Sequence, residues 1–204
     1  MRRVNRVVTV ALGVVGLAGC GGAARPSKYY QLAVPASPPP ATGTEAYPVA
    51  LLVGRLTAPH LYRDDRIVYR TGGEQMGTYE YHRWAEPPTE MLEAILLRML
   101  RQSGRYQTVQ LLRSNSRGDF ILRGRLHNFD EIAGEPILAR VALEIELFEI
   151  KSGTTVWSQF YSHDEPVKSK EVPAVVEALN RNVQQGMAQI TAGIDHYFAS
   201  HPPK

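Results

Sequence analysis

Cysteine is nearly absent: the 204-residue chain has one, Cys20. A single thiol excludes an internal disulfide and a thiolate metal cluster, so packing must hold the folded body together. Long apolar runs are scarce as well. Val7 to Ala18 is apolar, but it falls short of the roughly 20 residues that cross about 30 Å of hydrocarbon as a helix. Surplus charge is also missing. Basic residues outnumber acidic ones by 23 to 20, and Arg2, Arg3 and Arg6 account for the difference. The rest of the chain is neutral on balance. That opposes a nucleic-acid ligand, which calls for a basic stripe, and it leaves no polybasic patch for an anionic membrane. The sequence has no Gly-rich phosphate loop, no Gly-x-Ser-x-Gly elbow and no His-Glu-x-x-His helix. No catalytic residue and no metal ligand is assigned, and an enzyme is the least favoured reading.

What is present begins with the first twenty residues. A basic start, a short apolar run and the small residues Leu17-Ala18-Gly19 before Cys20 have the form of a secretory signal. Leu-Ala-Gly-Cys resembles the lipobox of bacterial lipoproteins. That resemblance implies cleavage between Gly19 and Cys20, then an S-diacylglycerol and an N-acyl group on Cys20 as the only additions to the chain. Each buried methylene contributes about 0.8 kcal/mol, so several acyl chains anchor firmly where one holds marginally.

The remaining chain suits one domain with a sizeable core. Its expected parts are a signal over 1–19, a lipid-anchored tether over 20–46 with a short strand and a Pro-rich loop, and a folded domain over 47–204. Tyr29 to Leu32 reads as a short strand, and Pro35 to Thr44 as a loop or polyproline spacer. Val49 to Leu56 is a buried strand bounded by prolines. In Arg66 to Arg70, Arg66, Val68 and Arg70 should share one face and Ile67 and Tyr69 the other. Thr71-Gly72-Gly73-Glu74 turns the chain, and Gln75 to His82 returns. Apolar residues at helical spacing predict a helix over 89–102, entered through Pro87 and Pro88 and closed by Gly104. Strands follow at 106–112, 119–129, 139–150 and 155–163, the last three alternating with period two. A final helix over 173–198 would be about 39 Å long at 1.5 Å per residue. The fold class is α+β: one domain, a mostly antiparallel or mixed β-sheet packed by two α-helices.

Few polar clusters invite chemistry. His163, Asp164 and Glu165 are consecutive, so a strand sends them to alternate faces. Asp64 and Asp65, flanked by Arg63 and Arg66, suit surface ion pairs. Around the hairpin, aromatic residues and arginines crowd together. Tyr, Trp and Arg dominate binding hot spots, so Arg66, Tyr69, Arg70, Tyr81, Arg83 and Trp84 form a candidate partner surface. The other reading, equally open at this point, puts the aromatics in the core and the arginines on a solvated face.

Three features together resemble the ABC-type transport auxiliary lipoproteins of the PqiC type: Tyr29-Tyr30-Gln31-Leu32 soon after Cys20, Arg66-Ile67-Val68-Tyr69-Arg70, and Arg83-Trp84-Ala85-Glu86-Pro87 before a helix. The resemblance implies a non-enzymatic, periplasm-facing lipoprotein. Its partners would be an MCE-domain protein and an ABC permease and ATPase that move lipid between two membranes. Gly21 after the cysteine agrees with outer-membrane sorting. A ring-like homo-oligomer would match the symmetric end of a tunnel. The alternatives are a lipoprotein that assembles or plugs an outer-membrane barrel, as in lipopolysaccharide assembly, and a lipid- or solute-binding lipoprotein with a deep apolar pocket.

Replacing the acylated sulfur should release the protein. Cys20→Ser is expected to move the chain from the membrane pellet to the soluble fraction and to remove acyl mass from the intact protein, both measured on the expressed full chain.

Overall fold

The computed structural model describes residues 25–34, 46–72, 74–113 and 115–203. Gly19, Cys20, the signal and the Pro-rich stretch lie outside them. The elements in chain order are β1 (Lys28–Tyr30), β2 (Tyr47–Thr57), a 3-10 turn (His60–Tyr62), β3 (Arg66–Arg70), β4 (Met76–Trp84), α1 (Pro88–Ser103), β5 (Tyr106–Leu111), β6 (Phe120–Ile132), β7 (Leu138–Glu149), β8 (Thr154–Pro166) and α2 (Val172–Ser200). This is the expected α+β domain with two helices and a mixed sheet.

β6 organises the sheet. One of its edges carries β7 along nearly its whole length, antiparallel from Phe120↔Glu149 to Ile132↔Leu138. The other edge is divided. Its first half pairs parallel with β2, from Leu51↔Phe120 to Thr57↔Arg125. Its last turnless stretch pairs parallel with β3, from Val68↔Asp130 to Arg70↔Ile132. β5 flanks β2, β4 and then β1 flank β3, and β8 flanks β7. Most registered residue pairs belong to the two long antiparallel pairings of β7. At Gly124 the strands are too close for a side chain, since a Cβ there would meet the Glu144 carbonyl.

Both helices lie on one side of the sheet and touch each other. α1 packs on β2 and β5, and α2 on β7 and β8. α1 buries Met91, Leu92, Ile95, Leu96 and Leu100, and it ends at Gly104, whose φ of 64° is the left-handed cap that glycine tolerates best. α2 buries Val175, Leu179, Val183, Met187, Ile190 and Ile194. Burying a side chain of this kind contributes about 1.5–3 kcal/mol. The helix-free side carries charge ladders instead: Arg123 Nε to Glu146 at 3.0 Å and His127 to Glu144 at 3.7 Å.

In β3 both faces are buried near its middle. Ile67 and Val68 are both buried, at 0% and 1% exposure. β3 lies between β4 and β6 and is covered on both faces, so its period-two pattern does not separate inside from outside.

α1 also covers a strand edge. β5 stops beside β2 where Leu112 N donates to Val53 O at 2.8 Å. Just beyond, the Leu56 amide donates to Glu93 Oε1 on α1 at 2.7 Å. Burial pushes the Glu93 carboxyl up, and the Leu56 hydrogen bond only partly opposes this. A raised folded-state value means that this group favours the fold most below the ordinary Glu range, and that the benefit is lost as pH rises through the raised value. Glutamine keeps the acceptor without the charge. Glu93→Gln should therefore be more stable than wild type at pH 7, with the difference closing toward pH 3, as measured by thermal melts at both values.

Candidate docking surface

The segment before β3 and the hairpin after it hold the residues singled out in the sequence. Leaving β2 at Thr57, the chain departs from the sheet, makes the 3-10 turn and rejoins β6 at Val68. This excursion drops Tyr62, 2% exposed, over Asp130, which is fully buried. The Tyr62 hydroxyl donates to Asp130 Oδ1 at 2.9 Å, and Arg70 Nε donates to Oδ2 at 3.1 Å. Asn128 Nδ2 adds a longer contact to Oδ1 at 3.4 Å. Burial, then the Asp130 charge, pushes the Tyr62 hydroxyl up to about 12. Tyr62 is thus held as a proton donor at neutral pH. Asp130 carries no sequence signal: a carboxylate inside a strand does not announce its burial, and its two closest donors, Tyr62 and Arg70, lie sixty and more residues away.

The flanking charges are also committed. Arg140 grips Asp164 with two bonds, Nε to Oδ1 at 2.7 Å and Nη2 to Oδ2 at 2.6 Å, and this fork holds the Asp164 carboxyl below the usual range. Arg181 Nε bonds Glu165 Oε1 at 2.8 Å and lowers it likewise. The His163-Asp164-Glu165 run therefore serves two ion pairs from neighbouring strand positions. Asp65 pairs with neither Arg63 nor Arg66; it accepts from Arg83 Nη1 at 2.8 Å.

The six candidate surface residues separate accordingly. Trp84 is a correction: at 1% exposure it is core, 5.4 Å from the Phe129 ring, and unavailable to a partner. Arg70 and Arg83 are half-buried in the ion pairs with Asp130 and Asp65. Tyr69 packs edge-on against Tyr79 at 5.1 Å, and the Tyr79 hydroxyl donates to Glu131 at 2.6 Å. Tyr81 is half-buried beneath Arg25, whose guanidinium lies 5.7 Å from its ring centre. Arg66 is exposed. Beside it on the excursion, Leu61 is 39% exposed and Arg63 is open to solvent. The structure thus leaves Arg66 exposed, with Leu61 and Arg63 beside it.

Two solvent-open grooves complete the surface. One, of about 720 Å³, lies where β6 begins and α2 ends, among Pro48, Phe120, Ile150, Tyr197 and His201. The other, of about 610 Å³, lies beside β2 and α1, among Arg55, Arg63, Glu86, Glu93 and Leu112. Between the sheet and the helices the space is filled by buried side chains, among them Leu51, Leu92, Leu122, Ile145 and Leu179.

These features define a class first: a single α+β domain with both helices on one face of a mixed sheet, in which no described helix is long and apolar enough to cross a membrane. Residues 30–191 match the family model of the ABC-type transport auxiliary lipoprotein component, and the chain belongs to that family. A Xanthomonas campestris protein of the DUF330 family superposes with a TM-score of 0.71 at 22% identity, over 80% of this chain and 92% of that one. An uncharacterized protein of known structure gives 0.65 at 18% identity, over 83% and 99%. Both show the fold. A PelC dodecamer from Paraburkholderia phytofirmans gives 0.41 at 15% identity, over 72% and 90%, a likeness too low to bear on assembly. No curated protein matches the chain.

Removing the Asp130 carboxylate leaves Arg70 and Tyr62 without their acceptor. Asp130→Ala should cost about 3–5 kcal/mol of stability in urea unfolding, the penalty for breaking a buried pair. Tyr62→Phe, which keeps the ion pair, should cost only about 1 kcal/mol.

Proposed function

We propose that this chain is a periplasm-facing subunit of an MCE- and ABC-type lipid transport system. Cys20 holds it in the inner leaflet of the outer membrane, and its surface docks the transport conduit. The observation that carries the reading is membership of the auxiliary lipoprotein family over residues 30–191. An auxiliary component acts beside the machine that moves the cargo. The structure agrees with that role in two respects: its strongest polar groups are occupied by internal ion pairs, and the space between sheet and helices is filled rather than hollow. The second point also weighs against a carrier that encloses its own lipid. The mechanism is positional: it sets one end of a conduit against a membrane, and no bond is made or broken.

The docking patch is read as Leu61, Arg63 and Arg66. Exposed arginine side chains form the anchors of such a contact, and Arg66 has no ion-pair partner among the described residues. A photo-crosslinking residue placed at 63 or 66 in native membranes should capture an MCE-domain protein. The same residue at 160, on the edge strand β8, should not. Capture of an outer-membrane barrel with no MCE protein would replace this reading by the barrel-assembly one.

A further inference from the structure

We propose that the end of the domain toward which the chain before Lys28 leads, where the β3–β4 turn lies, rests on phospholipid headgroups with Arg25 and Tyr29 on its flank, and that the opposite end is held away from the bilayer. The proposal rests on the acylated Cys20 and adds which surface meets the lipid.

Chain length and strand direction carry it. Arg25 is the fifth residue after Cys20, so the anchor lies at most about 18 Å from the start of the described chain. β1 runs parallel to β4, with Lys28 opposite His82. Followed backward from Lys28, the chain heads toward the start of β4 at Met76. Three connections gather at that end. The β3–β4 turn closes through Thr71 N to Gln75 O at 3.1 Å, Ala133 N donates to Arg70 O at 2.8 Å, and Val167 N donates to Ile137 O at 3.0 Å. α2 begins near the same end, a short loop after β8 finishes at Pro166 opposite Leu138. From Val172 it runs away for 29 residues, roughly 43 Å. The groove at Tyr197 and His201 is therefore about twice as far from the start of α2 as the tether can reach.

The surface chemistry of the anchored end suits headgroups. Tyr29 is 64% exposed on a strand whose sole described neighbour is β4. Arg25 lies over Tyr81. Aromatic rings and long basic stems of this kind sit at the level where hydrocarbon gives way to headgroup. Lys168 and Lys170 are exposed nearby, but Glu74, Glu135 and Glu171 are interspersed with them. The end is thus charge-balanced, which fits zwitterionic phospholipid and requires no anionic lipid. The tether makes the contact intramolecular, so individually weak contacts suffice to hold it.

The mature acylated chain, reconstituted in phosphatidylethanolamine–phosphatidylglycerol vesicles, tests this. Acylation occupies the only native cysteine, so an introduced thiol takes label alone. Lys170→Cys and Lys151→Cys, each carrying a fluorophore, are compared using a lipid with a nitroxide headgroup. Quenching at 170 should exceed that at 151 several-fold, and Arg25→Ser combined with Tyr29→Ser should narrow the gap while circular dichroism stays unchanged. Equal quenching, stronger quenching at 151, or no quenching of either label in protein of full acyl mass overturns the orientation and leaves the anchor standing. Protein without acyl mass overturns both.

Discussion

One edge of β6 must serve two strands. β2 occupies its first half and β3 its end, both running parallel to it, while β7 takes the whole opposite edge. The chain between β2 and β3 leaves the sheet, and the stretch of β6 between Arg125 and Asp130 pairs with neither. The chain turns through His60–Tyr62 and returns. The excursion covers the one side of the sheet that has no helix, at the place where Asp130 would otherwise face water. Burying that carboxylate costs free energy unless donors reach it, and Tyr62 and Arg70 come from the excursion and the strand that follows it. The division of one strand edge thus dictates both the loop and the polar knot beneath it.

Much of this was legible in the residues. Helical spacing and proline entry placed α1 and α2 within one or two residues of their observed ends. Period-two alternation placed β7 and β8, because each has one face under α2 and the other toward solvent. Parallel pairing was not legible. A strand shows the same alternation whichever way its neighbour runs, and β2 meets β6 across more than sixty residues of chain. In β3 alternation separates two faces but not inside from outside, since the strand is covered on both sides. The hairpin aromatics posed a different problem. Trp, Tyr and Arg are the residue types of hot spots and equally of cores closed by ion pairs, and only the position of Phe129 and Asp65 decides that Trp84 and Arg83 belong to the second kind.

The residues that carried the family resemblance are largely those that close the β3–β4–β6 junction. Arg70 binds Asp130, Trp84 packs on Phe129, and Ala85 N donates to Tyr30 O at 2.7 Å, tying the Arg-Trp-Ala segment to β1. What makes the chain recognisable is therefore its internal architecture, and what it touches must be sought in the side chains left outside. Those are few near the hairpin. Arg66, Arg63 and Leu61 lie on the excursion, so the loop forced out by the shared edge of β6 is also the part that presents a surface.

A subunit that works by position needs a body that does not yield between its two ends. α2 is the element that spans them, and its coupling to the sheet is polar as well as apolar. Asn182, fully buried, donates through Nδ2 to Ala139 O at 2.9 Å and to His163 O at 2.8 Å, and accepts the Tyr161 hydroxyl at 2.7 Å. The two donated bonds join the helix to the backbone of β7 and β8 at one point along its length. A bundle of apolar contacts permits small sliding of a helix across a sheet, whereas three directed bonds to fixed partners do not. Gly186, one turn further on, lets α2 come within contact of the Tyr161 ring, since a Cβ there would meet that ring. The helix is thereby pinned and seated over β8. In the proposed role, where one end of the body is set against a membrane, this seat is what ties α2 to the sheet.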